Sequence, residues 1–158
     1  MDNTAVGRPY IYAVSGFKNT GKTTLITKLI PELKSRGYKV AVIKHDGHDF
    51  EPDVPGTDSF RHRMAGAFGT AVYSSERMMV TKECTGVTEH EIVQAFPEAD
   101  IILLEGLKDS TYPKYICDHP RNIPDVKAVA DTIESNMKNT RKEDTGDGHD
   151  EKGVHGRN

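Results

Sequence analysis

The sequence predicts an α/β protein with a mostly parallel sheet flanked by helices, and three observations carry that prediction. Short apolar runs without alternation recur at Tyr10 to Val14, Val40 to Ile43, Ile101 to Leu104 and Val126 to Ala130, the pattern of strands buried on both faces. Between the first two runs, Leu25, Ile26, Leu29, Ile30 and Leu33 form one apolar helical stripe that stops at Gly37. Strand, helix and strand then make a βαβ unit. At the seam between the first strand and the helix stands Gly16-Phe17-Lys18-Asn19-Thr20-Gly21-Lys22-Thr23, which satisfies GxxxxGK[ST] at every fixed position.

The remaining elements follow in chain order. Pro31 falls inside the first helix, where a missing N–H and a ring clash cost about 3 kcal/mol, so a local kink is expected. Asp58 to Ala67 reads as a short helix capped by Thr57 or Asp58 after the breaking pair Pro55-Gly56. Thr70 to Tyr73 and Met78 to Thr81, joined through Ser74-Ser75-Glu76, read as a hairpin that would make the sheet mixed. Thr88 and Glu91 form a capping box before an apolar pattern that ends at Phe96-Pro97. From Glu134 onward large apolar residues nearly vanish, so a disordered tail is expected. The organisation is thus a lead over 1–9, a nucleotide-binding domain over 10–133 and a polar tail over 134–158.

At 158 residues the chain suits one domain that folds without disulfides or metal. A formal charge of −3 leaves no electrostatic footprint for nucleic acid. Cys84 and Cys117 stand far apart, without CxxC spacing, and read as free, mostly buried thiols. The N-terminus lacks the apolar core of a signal peptide, and no segment approaches a membrane span. A soluble, cytoplasmic protein with neither nucleic-acid nor membrane partner is expected.

The chemistry centres on phosphate. Glycines let successive backbone N–H groups turn inward, and the following helix offers its positive end to the same anion. Gly16, Lys18, Asn19, Thr20, Gly21, Lys22, Thr23 and Thr24 are therefore the nucleotide-binding candidates, with Lys22 reaching the β- and γ-phosphates and the Thr23 hydroxyl ligating Mg²⁺. "DIILLEG" places Glu105 at the carboxyl end of its strand, the end beside the phosphate loop in a parallel sheet. Glu105 is the second metal candidate, and Gly106 would bring a backbone N–H to the γ-phosphate. "KHDGHDF" ends at the same sheet edge. Its His45, Asp46, His48 and Asp49 could serve the substrate, hold a metal, or lie as plain surface residues; their spacing lacks zincin geometry. Asp58, Ser59, Arg61, His62 and Arg63 precede a small-residue turn, and the arginines fit a phosphate contact and a charged helix face equally well.

Taken together and in order, "GFKNTGKTTL", "KHDGHDF", "PGTDSFRHRMAGA" and "DIILLEGLKDSTYPK" resemble the MobB family of adaptor proteins in molybdopterin-guanine dinucleotide biosynthesis, over roughly Tyr10 to Asp131. The resemblance implies a P-loop NTPase-like fold, GTP and Mg²⁺, weak GTP hydrolysis, a homodimer, and partnership with a MobA-type guanylyltransferase, with molybdopterin as a further ligand. It carries phosphate and metal roles onto Gly16, Gly21, Lys22, Thr23 and Thr24, and the Walker B end onto Glu105 and Gly106. His45, Asp46, His48 and Asp49 would lie near the γ-phosphate or the pterin partner, and Asp58, Ser59 and Arg61 match the next family segment. The chain departs from relatives in two places. Phe17 holds the position of a dimer-bridging lysine, with Lys18 next, and the sequence becomes polar soon after Asp131 where relatives continue. No NKxD motif occurs, so guanine preference comes from the resemblance.

The leading expectation is a GTP-binding accessory protein in which Lys22 stabilises γ-phosphate charge while Asp46, Asp49 or Glu105 orients water. A P-loop small-molecule kinase using ATP or GTP is the enzyme alternative, although no lid insertion is evident. A structural partner that has lost turnover is the third.

Overall fold

A computed structural model describes residues 8–146, with side chains through 143; the expected lead over residues 1–7 and tail over 147–158 lie outside the described residues. In chain order the elements are β1 (Tyr10–Gly16), α1 (Lys22–Ser35), β2 (Val40–Lys44), α2 (Asp58–Met64), β3 (Gly69–Tyr73), β4 (Met78–Lys82), α3 (Glu89–Val93), β5 (Ile101–Glu105), β6 (Lys114–Cys117) and α4 (Val126–Gly146). Where one domain was expected, the chain forms two compact units, residues 45–95 making the second.

In the first unit β2, β5, β1 and β6 lie side by side in that order, all parallel. The register pairs Val14 and Lys44 with Glu105, and Gly16 with Cys117, so all four strands end along one edge. Every residue of β5 is buried, which is why its sequence shows no alternation. On one face Tyr12, Val14, Ile101, Leu103 and Cys117 pack with Leu25, Ile26, Leu29 and Leu33 of α1 and with Val129, Ala130, Ile133 and Met137 of α4. Full burial of each large aliphatic side chain contributes about 1.5–3 kcal/mol. The α1 stripe is the one expected, and the helix continues past Pro31 to Ser35.

Two expectations are corrected here. Val126 to Ala130 is no strand; it opens α4, and β6, at Lys114 to Cys117, takes the fourth place in the sheet. The five-residue run looked strand-like only in isolation, because Val126, Val129, Ala130, Ile133 and Met137 continue at helical spacing. Asp125 caps the helix, its carboxylate accepting the Lys127 N–H at 2.9 Å. The polar tail likewise does not begin at Glu134, since α4 runs to Gly146 with Ile133 and Met137 buried.

Charge also joins α4 to α1. Arg36 donates to Glu32, Asp131 and Glu134 at 2.8, 2.7 and 3.1 Å, and the Tyr38 hydroxyl donates to Glu134 at 2.8 Å. The Tyr38 hydroxyl, then the Arg36 guanidinium, holds the Glu134 carboxyl below the usual carboxylate range. A carboxyl depressed in the folded state stabilises fully above its unfolded pKa, about 4.3, and loses that contribution as pH falls through the folded value. Thermal melts should therefore show Tm declining below about pH 4.3, with a shallower decline in Glu134→Gln. An identical acid limb in that variant would refute the linkage.

In the second unit, Thr57 caps α2 by accepting the Phe60 N–H. The helix stops at Met64, short of the expected Ala67, as the chain turns through Gly66 at φ 100°. The hairpin forms as β3 and β4, closed by Ser74 N–H donating to the Arg77 carbonyl at 2.8 Å. It makes a two-stranded sheet of its own, so the antiparallel pair does not extend the parallel sheet. The Thr88–Glu91 capping box is present at the start of α3. Among the described residues no helix is long and apolar enough to cross a membrane.

Candidate functional site

The carboxyl end of β1 feeds directly into the phosphate-loop motif. Gly16 takes φ 140°, and a Cβ there would lie 2.2 Å from the Cys117 carbonyl oxygen on neighbouring β6, so only glycine fits. Asn19 adopts φ 61°, a left-handed conformation that asparagine tolerates. Gly21 takes φ 95° with Ile123 against it, 2.9 Å from where a Cβ would stand. The buried Thr20 hydroxyl donates to the Phe17 carbonyl at 2.8 Å and closes the loop on itself.

This folding leaves backbone donors over. Among the described residues, none of the amide N–H groups from Lys18 to Thr24 meets a protein acceptor, and the first helical bond at this end is Leu25 N–H to Gly21 at 2.9 Å. A run of unpaired N–H groups at the start of a 14-residue helix is an anion site by the same physics that leaves every helix N-terminus electropositive. Lys22 adds a charge to the loop; its ammonium donates to the carbonyls of Gly16 at 3.1 Å and Phe17 at 2.5 Å.

Thr23 and Glu105 come together across the β1–β5 pairing, the hydroxyl donating to the carboxylate at 2.8 Å. Glu105 is buried, at the end of β5 opposite Val14 and Lys44. Two hard oxygens at that separation, beside an anion site, suit Mg²⁺, which takes one or two protein oxygens and completes its shell with phosphate and water. Gly106 is placed differently from expectation. Its N–H donates to the Val14 carbonyl at 3.1 Å and its carbonyl accepts from Ser15 at 2.7 Å, so it is tied to β1 and has no N–H free for phosphate. Burial pushes the Cys117 thiol above its ordinary pKa, with Lys22 working against that shift. Cys117 is buried as expected, whereas Cys84 is exposed, and both are free thiols.

The other sequence candidates lie in the second unit. His45, Asp46, His48 and Asp49 are all exposed. Asp46 accepts from the His48 N–H at 3.2 Å and Asp49 from the Phe50 N–H at 2.9 Å, local turns in which, among the described residues, the other carboxylate oxygens take no hydrogen bond. Asp58 and Arg61 face each other at 3.7 Å and are largely exposed, while Ser59 is buried beside the Thr57 hydroxyl. His62 is exposed. Arg63 pairs with Glu51, and with Glu83 at 3.8 Å, contacts within this unit. Among the described residues, no three His, Cys, Asp or Glu side chains converge as a metal site would require.

Several residues at the phosphate loop escaped the sequence reading. Ser15, Cys117 and Ile123 touch it or its partners through the fold, and nothing in the motif signals them. Lys108 also stands over the Phe17 ring, 5.8 Å from its centroid, three positions past Glu105 in the segment "DIILLEGLKDSTYPK", which carries the family resemblance without marking this lysine for a role.

Comparison with known proteins adds the context. Residues 11–131 match the family model described as MobB, Molybdopterin guanine dinucleotide synthesis protein B. The chain is 36% identical to a molybdopterin-guanine dinucleotide biosynthesis adapter protein of Haemophilus influenzae, over 67% of this chain and 61% of that one. It is 38% identical to the protein so named in Escherichia coli, over 67% and 63%. It therefore spans less than two thirds of the length of these relatives. The crystal structure of Bacillus subtilis MobB superposes with a TM-score of 0.59 at 34% identity, covering 68% of this chain and 67% of that one.

Proposed function

This chain belongs to the MobB family, and from that membership we propose that it is a GTP-binding accessory protein with slow GTPase activity in molybdopterin-guanine dinucleotide biosynthesis. The observation that carries the reading is the phosphate loop, with unpaired amides from Lys18 to Thr24 beside the Lys22 ammonium and the Thr23–Glu105 pair. The names of its relatives, adapter proteins of that biosynthesis, supply the pathway. In this reading the partner is a MobA-type guanylyltransferase, molybdopterin is a further ligand, and the working form is a homodimer.

The chain's own groups divide the work. The loop amides and the positive end of α1 hold the phosphates, and Gly16 and Gly21 keep the backbone close enough to do so. Lys22 exchanges its two carbonyl acceptors for phosphate oxygens, a stronger charge-assisted contact. Thr23 and Glu105 would hold Mg²⁺, which when bound neutralises charge between the β- and γ-phosphates. Because Glu105 is buried against Thr23, it suits the metal shell better than orienting water. Asp46 and Asp49 are the exposed carboxylates assigned that task, while His45, His48, Asp58, Ser59 and Arg61 are assigned to the pterin or the partner.

The test is calorimetry in Mg²⁺ with non-hydrolysable GTP and ATP analogues, on the wild-type chain and Lys22→Ala. GTP preference is expected, with binding weakened at least about 100-fold by the substitution, as loss of a charged hydrogen bond in a shielded site predicts. ATP preference coupled to phosphoryl transfer onto a metabolite would instead mark a small-molecule kinase. No binding of either nucleotide would overturn the reading.

A further inference from the structure

We propose that Lys108 is the residue that reads the terminal phosphate, distinguishing nucleoside triphosphate from diphosphate at this site. The inference rests on the nucleotide reading above and adds a second lysine to it. Three features place the side chain.

The backbone first turns sharply after the metal-side carboxylate. Gly106 at φ 105° and Leu107 at φ 50° are consecutive left-handed residues, and for leucine that conformation costs on the order of 1–2 kcal/mol. Such a turn persists only where its surroundings hold it, and here both ends are tied. Ser15 and Val14 hold Gly106 to β1. Beyond the turn, Ser110 N–H donates to the Leu107 carbonyl at 3.0 Å, and Lys114 of β6 donates to the carbonyl of Lys108 at 2.8 Å and to that of Ser110. Lys108 thus projects from a braced loop.

Its ammonium, second, rests on the phosphate loop itself, 5.8 Å from the centroid of the Phe17 ring. Phe17 is 78% exposed, and its carbonyl already accepts from Lys22 and Thr20, so two lysine ammonium groups bracket one loop residue. An exposed cation–π contact is worth only about 0.5–1 kcal/mol, which a phosphate oxygen readily outcompetes.

Third, among the described residues Lys108 forms no ion pair. A cation with no ion pair among the described residues, beside an anion site, is placed to take the anion. Thr23 and Glu105 would hold a metal that neutralises the phosphate chain, and the loop that continues from Glu105 turns back over the phosphate loop at Phe17, which places it toward the terminal phosphate. Lys108 therefore meets the γ-phosphate and has nothing to contact in a diphosphate.

Calorimetry in Mg²⁺ with a non-hydrolysable GTP analogue and with GDP, on wild type, Lys108→Ala and Lys108→Arg, tests this. The alanine variant should bind the triphosphate analogue about 10-fold or more weakly while GDP changes less than about 2-fold, the size expected for one charge-assisted hydrogen bond. Arginine, keeping the charge, should recover most of the loss. Folding should be untouched because Lys114 grips the Lys108 backbone and not its side chain, and equal melting temperatures check that. Equal weakening of both nucleotides, or of neither, overturns the role of Lys108 and leaves the nucleotide site standing. Wild type that binds neither nucleotide overturns both.

Discussion

A chain ended after Asp131 is expected to unfold or to lose most of its cooperative melt, although it retains every motif of the candidate nucleotide site. The cut removes Ile133 and Met137, 0% and 2% exposed, from the layer where α4 covers α1 and the sheet. At about 1.5–3 kcal/mol for each fully buried side chain, the loss is roughly 3–6 kcal/mol. Domains have only about 5–15 kcal/mol in hand. The cut also strips Glu134 from Arg36 and Tyr38, and leaves α4 six residues long, too short to persist without packing. Thermal melts of chains ended at 131 and at 146 provide the comparison: the shorter should melt well below the longer. Equal Tm values would show that α4 contributes nothing to the core beyond its first turns.

Gly16→Ala should damage both stability and binding more than any other single methyl group added to the phosphate loop. The new Cβ would stand 2.2 Å from the Cys117 carbonyl oxygen and 2.8 Å from the Thr20 hydroxyl. The first is backbone in a paired strand and cannot swing aside. Strain from φ 140° adds to the clash, for a total of roughly 3 kcal/mol or more. Relief requires β6 to part from β1 or the loop to change path, and the second outcome scatters the amides from Lys18 to Thr24. Denaturant melts and nucleotide titration on the same variant should both show the loss. A variant with wild-type stability and affinity would mean that the loop has an alternative path of equal energy.

The candidate site was legible wherever its proposed chemistry needs consecutive residues. The span from Gly16 to Thr23 could be read directly, because a backbone that cradles phosphate requires glycine at particular places and lysine and threonine next to each other. Glu105 was legible by one step of reasoning: an acidic residue at the carboxyl end of a parallel strand must lie at the edge where the phosphate loop lies, and the structure brings it to 2.8 Å from Thr23. Capping at Thr88 and the α1 stripe were equally local. The Asp46 and Asp49 carboxylates were visible as residue types, but their turn contacts were not.

What the sequence could not show was assembled from distant segments. The strand beside the phosphate loop is β6, only four residues long and too short to announce itself. Val126 to Ala130, in contrast, has a strand's composition and forms a helix, because Asp125 caps it and a core of α1 and sheet side chains rewards the 3.6-residue face continued by Ile133 and Met137.

The sequence by itself determined the α/β class, the phosphate-loop motif, the carboxylate at the end of β5 beside it and the family, since each is written in residues adjacent in the chain or repeating at a fixed period. Only the tertiary structure decided that α4 completes the core, that Gly106 is tied to β1, that the hairpin stands outside the parallel sheet, and that Lys108 rests on Phe17. These depend on pairings between segments tens of residues apart, whose energies are set by burial and close approach in three dimensions and leave no local pattern to read.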